Sequence, residues 1–405
     1  MGSLSYVQKS AKPLTVLHIA PTPFFSDRGC HMRIRGIIHA LNKRSVSSVL
    51  CTYNLGREVE GVETVRTASI PGYTKLEAGP SAFKYLADIL LFFKVCGQIY
   101  SRKPDIIHAH LHEGALIGWA ARQIFFWRKI PIVFDVQGSL VGELDAHGYF
   151  QKFKFLKRIF WTVEYLITRM ADRFVCSSQN TVYILCNEFN VNVNNAILVN
   201  DGADQFHLSN NESLNAALAL PENKAIIIYT GALLEAKGLS YLCDTVREAK
   251  KRNTACHFLV VGYPEQVMHD FCEKNQLQDM CTLAGRVPYE QLGDYLALAD
   301  MALEPKLSDS GEASGKLLNY MGASLPVVCF DTTSNRQILG ELGYYVLAPE
   351  VVEAGVLMDQ IEVIITEPEK ASERGAAGRM RVNENFSWDA AGEKIHIVYN
   401  SCLLG

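Results

Sequence analysis

Short apolar runs rich in β-branched residues alternate with longer amphipathic stretches along the whole chain. That alternation confines it to folds in which parallel sheets are covered by helices. The first series of runs predicts strands at 15–20, 48–53, 62–67, 105–109, 132–136, 173–176 and 197–200, with helices at 31–43, 82–102, 115–127 and 149–170. A polar stretch at 200–221, rich in Asn, Ser and Asp, reads as a linker. A second series follows, with strands expected at 225–229, 256–261, 280–283, 301–303, 327–330 and 344–346. From Pro368 onward the pattern predicts two helices that bury Phe386, Trp388, Ile395, Ile397 and Tyr399. At 405 residues the chain is too long for one core. Two doubly wound α/β domains are expected, 1–200 and 201–385, with a cleft at the carboxyl ends of their strands, where such sheets take ligands.

Composition narrows the setting. The eleven cysteines are an odd number with no CxxC pair, and Cys51, Cys176, Cys256 and Cys329 lie inside apolar runs. Buried thiols in a reducing compartment fit this better than a disulfide framework. No apolar run approaches the roughly 18–20 residues that span a bilayer, and the longest, 87–95 and 124–127, are short. Residues 1–13 are polar and lack a signal-peptide core, so a cytoplasmic location is expected. The net charge of −4 hides an asymmetry: residues 1–200 hold 23 Lys+Arg against 14 Asp+Glu, the remainder 16 against 29. No nucleic-acid partner is expected, but the basic first half suits an anionic membrane surface or an anionic acceptor. The segment 147–173 reads as a helix with an apolar stripe at Phe153, Leu156, Phe160, Val163, Ile167 and Met170. Its other side mixes Phe155, Ile159 and Trp161 with Lys152, Lys154, Lys157 and Arg158. Such a helix suits a lipid interface, or a position packed between two elements.

Chemistry-bearing residues gather where strands end. The first strand runs into PTPFFSDRGC (21–30) and then a helix, so Gly29 would let an anion approach free N–H groups. No GxGxxG is present, which argues against a nicotinamide dehydrogenase. The fourth strand enters HAHLHEG (108–114). Zinc would need rigid, convergent imidazoles, so the preferred reading is a polar strand end at which His110, His112 and Glu113 touch substrate. In the second half, the strand at 225–229 leads into TGALLEAKG (230–238), which contains Gly231 and Lys237. Further on, DSGEASGKLLNYMG (309–322) reads as a loop and then a helix opening at Ser314, Gly315, Lys316 and Leu317. Free N–H groups, the positive end of the helix dipole and an ammonium would meet a diphosphate there. One turn on, Asn319 is placed to hydrogen-bond a ribose hydroxyl.

The order YTGALLEAKGL, FLVVG, LAGRVPYEQLGDYLALAD, EASGKLLNYMGASLPVVCFD and FSWD resembles glycosyltransferase family 4, the "group 1" transferases. TPFF…RGC, DIIHAH and VNDGAD extend the likeness into the first half. The resemblance implies the GT-B fold, two Rossmann-like domains facing across a cleft, with the last helix (386–405) crossing back to the first. It implies a nucleotide sugar, UDP- or GDP-linked, bound mainly by the second domain and a sugar or lipid-linked acceptor mainly by the first. It further implies retaining transfer. No DxD-type acidic pair sits in a suitable loop, so no cofactor and no obligatory metal are expected. By the same likeness Lys237 matches the phosphate-binding lysine, and Gly315 and Lys316 the helix start at the diphosphate. Asn319 falls on the second glutamate of the E-x7-E motif and Gly311 on the first, with Glu312 beside it. Departures exist: Ala232 replaces an arginine, and Gln137 stands where a histidine often follows the fifth strand. Arg286 or Lys306 would then supply the missing cation. Glu304 and Glu312 also have E-x7-E spacing, but Glu304 is expected to end a strand, which makes that match accidental. The alternatives are a sugar-nucleotide epimerase of the same fold and a non-catalytic nucleotide-sugar-binding protein.

Overall fold

The computed structural model describes residues 13–404 apart from 77–81, 147–148, 151–153, 205, 207, 209–210, 308–314 and 348–354. Seven strands form the first sheet: β1 (Leu14–Ala20), β2 (Val46–Thr52), β3 (Glu63–Arg66), β4 (Ile106–His110), β5 (Ile132–Val136), β6 (Arg173–Cys176) and β7 (Ala196–Leu198). Their order is β3-β2-β1-β4-β5-β6-β7. Six more form the second: β8 (Ala225–Ala232), β9 (Cys256–Tyr263), β10 (Cys281–Leu283), β11 (Met301–Glu304), β12 (Val327–Phe330) and β13 (Tyr344–Val346). Their order is β10-β9-β8-β11-β12-β13. Both sheets are parallel. The chain divides into two compact units, one made of 1–135, 167–175 and 392–405, the other of 136–166 and 176–391.

Central strands buried on both faces should read as continuous apolar runs, and β8 (AIIIYTGA) does. Its alternate residues divide between two cores. Ile227 and Tyr229 pack with Leu242, Val246 and Phe330 on one side of the sheet. Ile226 and Ile228 pack with Leu296, Leu317 and Tyr320 on the other. Asp172 ties the first sheet at its N-terminal edge: its carboxylate accepts from the Ile132 amide at 2.7 Å and from Arg122 at 2.6 Å.

The elements follow the expected order with local differences. Strand β4 runs one residue past Ala109, because His110 still pairs with Asp135 of β5. The expected linker carries a two-turn helix, Glu212–Leu218, whose Asn211 cap accepts from the Leu214 amide at 3.1 Å. The segment expected as one helix at 149–170 gives Lys154–Thr168, preceded by a separate helix Leu140–Ala146. On Lys154–Thr168 the expected inner stripe is rotated. Glu164, Ile167 and Thr168 are buried, whereas Val163 is exposed together with Phe155, Ile159, Trp161 and Leu166. Phe153 lies outside the described residues. The tail forms the two expected helices, Pro368–Asn385 and Trp388–Leu404, with Pro368 at the first turn where its missing N–H costs nothing. Ile397 is exposed there instead of buried; Val398 takes the inward position beside Ile395 and Tyr399.

Candidate functional site

In the second unit the chemistry collects where β8 and β11 end. Strand β8 finishes at Gly231 and Ala232, both exposed, with Gly231 at φ 128°. A tight turn, Glu235–Lys237, follows, closed by Gly238 at φ 88°. A Cβ on Gly238 would sit 2.2 Å from the Pro305 carbonyl oxygen, so only glycine lets the Lys237 turn lie against the chain leaving β11. That chain begins at Glu304, fully buried at the strand end, whose carboxylate accepts from the Lys306 amide at 3.2 Å.

Lys316 reaches the same place from the helix Gly315–Gly322. Its ammonium lies 3.2 Å from Glu304 Oε1 and 4.5 Å from the centre of the Tyr229 ring. A Cβ on Gly231 would stand 3.6 Å from the same nitrogen. The surrounding hydroxyls are fixed: Tyr229 donates to the Ala232 carbonyl at 2.8 Å, and Tyr320 accepts from the Thr230 amide at 2.8 Å. Burial pushes both phenols above their ordinary range, so they remain protonated and neutral. Asn319 is half-buried and its side-chain oxygen accepts from the Tyr289 hydroxyl at 3.1 Å. Leu317 is wholly core, so only its backbone can face a ligand. Gly311, Glu312 and Ser314 lie outside the described residues. A hollow of the same unit, lined by Ser177, Ser178, Asn200, Asp201, Gly315 and Ser334, opens beside the start of the helix. Gln137 of this unit follows β5 and is half-buried.

In the first unit, β4 places His108 and His110 on one side of the strand, and its register with β1 brings His18 beside His108. All three are fully buried. His110 Nδ1 is 2.8 Å from Asp135 Oδ2, its Nε2 is 3.0 Å from His18 Nδ1, and His108 Nδ1 meets the Tyr399 hydroxyl at 2.5 Å. Arg33 Nε donates to Asp135 at 2.8 Å. Burial alone would raise the Asp135 pKa, but the Arg33 charge and the His110 hydrogen bond outweigh it and hold the carboxyl well below its usual range. Burial, with the neighbouring imidazoles, lowers His18 and His108 far below the ordinary histidine value. Among the described residues these three histidines bring ring nitrogens within 4.8 Å of one another, near enough for a shared ion. Yet His110 stacks on His108 and on His18 at interplanar angles of 17° and 14°. Both nitrogens of His110 are already engaged, Nε2 with His18 and Nδ1 with Asp135, so the trio reads as a hydrogen-bonded pile beneath the strand end.

His110 is therefore enclosed, while His112 sits on the helix Leu111–Ile124 against Phe134. Glu113, on the same helix, pairs with Lys84. Gly29 opens the helix Gly29–Asn42 with empty space around its Cβ position. Glu304 ends its strand as the sequence suggests, but its pairing with Lys316 was not foreseen. Asp88 escaped the reading of the sequence: Tyr53 donates to it at 2.5 Å, and burial, with Glu113 nearby, raises its pKa to about 6. Its signal was a lone acid inside an otherwise apolar helical run.

Two family models match the chain and leave little of it uncovered: "Glycosyl transferase 4-like domain" over residues 28–191 and "Glycosyl transferases group 1" over residues 210–381. The chain belongs to the group 1, family 4 glycosyltransferases and has their GT-B fold. It is 22% identical over 374 residues to D-inositol 3-phosphate glycosyltransferase of Corynebacterium diphtheriae, covering 86% of this chain and 82% of that one. It is also 22% identical to the putative teichuronic acid biosynthesis glycosyltransferase TuaC of Bacillus subtilis, over 62% of this chain and 59% of that one. Among solved structures, sucrose-phosphate synthase of Thermosynechococcus elongatus superposes with a TM-score of 0.80 at 18% identity, over 96% of this chain and 99% of that one. Anabaena Alr3699/HepE in complex with UDP-glucose gives 0.74 at 15% identity, over 96% of this chain and 100% of that one.

Proposed function

We propose that the chain transfers a hexose from a UDP- or GDP-sugar, with retention at the anomeric carbon and no obligatory metal, to a lipid-linked or glycan acceptor. In this reading residues 201–385 hold the donor and residues 1–200 the acceptor. The observation that carries it is the Lys316 ammonium, brought by its helix to the end of β8 and close to Glu304, in the same unit as the Lys237 turn. A departing nucleoside diphosphate gains negative charge as the glycosidic bond breaks, and fixed cations with a helix N-terminus stabilise it most in the transition state. Asn319 takes a ribose hydroxyl, and the serine hydroxyls and Asp201 of the adjacent hollow suit a sugar. Gln137, Glu113 and Glu312 act on the acceptor or the sugar. His110 and His112, being buried, support the strand end from below. The UDP-glucose held by HepE supports a uridine donor.

The test is a thermal-shift screen of UDP- and GDP-sugars followed by an assay for nucleoside diphosphate. A donor at 100 times its Kd should stabilise the protein by about 2.7 kcal/mol. Nucleoside diphosphate released only when acceptor is present establishes transfer. Binding without any turnover over a broad acceptor panel would return the chain to a nucleotide-sugar-binding role, and absence of any shift removes the donor assignment.

A further inference from the structure

The helix Ala82–Arg102 turns an apolar face outward. Ala87, Leu91, Val95 and Ile99 fill the core, while Leu86, Ile89, Phe93 and Tyr100 repeat at helical spacing on the opposite side. Phe93 is 65% and Tyr100 76% exposed. The neighbouring helix Leu111–Ile124 packs alongside and ends in the turn Phe126–Arg128, where Phe126 and Trp127 are also exposed, Trp127 by 63%. Arg128 donates to the Ile99 carbonyl at 2.8 Å, which pins that turn beside Tyr100. The exposed side chains of the two elements therefore adjoin. A run of this size on a folded surface marks an interaction site.

Charge selects the occupant. Residues 82–129 contain seven Lys or Arg and three Asp or Glu; Lys84, Arg102 and Arg122 pair with Glu113, Glu63 and Asp172, which leaves Lys94, Lys103, Arg128 and Lys129 to set the charge beside Asp88 and Asp105. Lys103 and Lys129 are exposed near the aromatic end of the patch, and Arg102 lies beside them. A second copy docked by a two-fold axis would set these cations against themselves. Tyr and Trp at the boundary of an apolar face, with basic residues next to them, match the interface of a lipid bilayer.

We infer that the outer face of helices Ala82–Arg102 and Leu111–Ile124, with the Phe126–Arg128 turn, docks on an anionic lipid surface. The aromatic and aliphatic side chains enter the headgroup boundary and the cations face anionic phosphate. No helix of the described residues is long and apolar enough to cross a membrane, so this is attachment along a surface. The inference does not depend on the transfer chemistry.

The full chain is sedimented with phosphatidylcholine vesicles that contain or lack phosphatidylglycerol, at low and high salt. The wild type should pellet with the phosphatidylglycerol vesicles, and less so as salt screens the charges. Phe93→Ser with Trp127→Ser should abolish pelleting at unchanged Tm, since both side chains are exposed. Lys103→Glu with Lys129→Glu should cut the partition at least about tenfold, because each cation near an anionic surface contributes roughly a fivefold factor. Three outcomes overturn the inference. One is no wild-type binding at low salt. Another is loss of binding only with Phe155→Ser, which lies in the other unit. The last is a dimer in sedimentation velocity that Trp127→Ser converts to monomer.

Discussion

Lys316 and Glu304 illustrate how a pair can serve stability and chemistry at once. Glu304 is buried, and its nearest cation is 3.2 Å away on another element. Removing that cation strands a charge in a site of low dielectric, which is destabilising. Lys316→Ala is therefore expected to lower Tm and to cut transfer by a factor on the order of 10²–10³. Adding Glu304→Gln should restore Tm and leave transfer low, since the neutral amide removes the stranded charge but supplies no cation. Wild-type turnover in Lys316→Ala would show that the diphosphate is held elsewhere. Lys316 and Asn319 were legible because a Ser-Gly-Lys opening marks a helix start and its polar face. For Glu304 only the strand end was legible: such an acid looks the same in sequence whether it faces water or a lysine twelve positions on. Asp88 was hidden for a related reason, since its partner Tyr53 lies 35 positions earlier.

At the scale of elements, strand and helix positions were readable because period-2 and period-3.6 patterns are local. What the pattern missed were terms set by neighbours. Strand β4 is longer than its own sequence suggests because Asp135 across the ladder continues the pairing. The outward rotation of Val163 and of Ile397 depends on which side has an element to pack against, which a single helix does not encode. The Lys237 turn offers the sharpest test at this scale. Gly238 combines φ 88° with a Cβ position 2.2 Å from the Pro305 carbonyl oxygen. A left-handed conformation costs a non-glycine residue about 1–2 kcal/mol before the clash is counted. Gly238→Ala should lower unfolding free energy in urea by at least about 2 kcal/mol and raise the donor KM as the turn is pushed off β11. Unchanged values of both would show that the turn has no fixed place.

For the whole molecule the family resemblance carried the fold class, whereas the buried imidazole pile could not be seen until β1 was set beside β4. Its effect is a dependence of stability on acid. Unfolded His18 and His108 titrate near the ordinary value of 6.5, while the folded rings stay neutral far below it. The unfolded chain therefore binds more protons as pH drops through 6.5. Native stability is complete above that value and declines below it, by up to about 1.4 kcal/mol per ring per pH unit. Asp135, held below its ordinary 3.8, adds stability that is present above that value and is lost as pH falls through it. The urea midpoint should thus fall between about pH 6.5 and 5, less steeply below about 6, where the raised Asp88 takes up a proton in the native state and offsets part of the loss; a flat profile from about 6.5 to 6 would mean that the rings are charged in the native protein. The same pile has a further consequence, in time. Tyr399, which closes on His108, comes from residues 392–405, part of the first unit although 176–391 belong to the second. At ~5–20 residues per second a ribosome needs roughly 15–60 s to travel the 291 positions between the two partners. The half of the molecule that is made first is the half that is finished last.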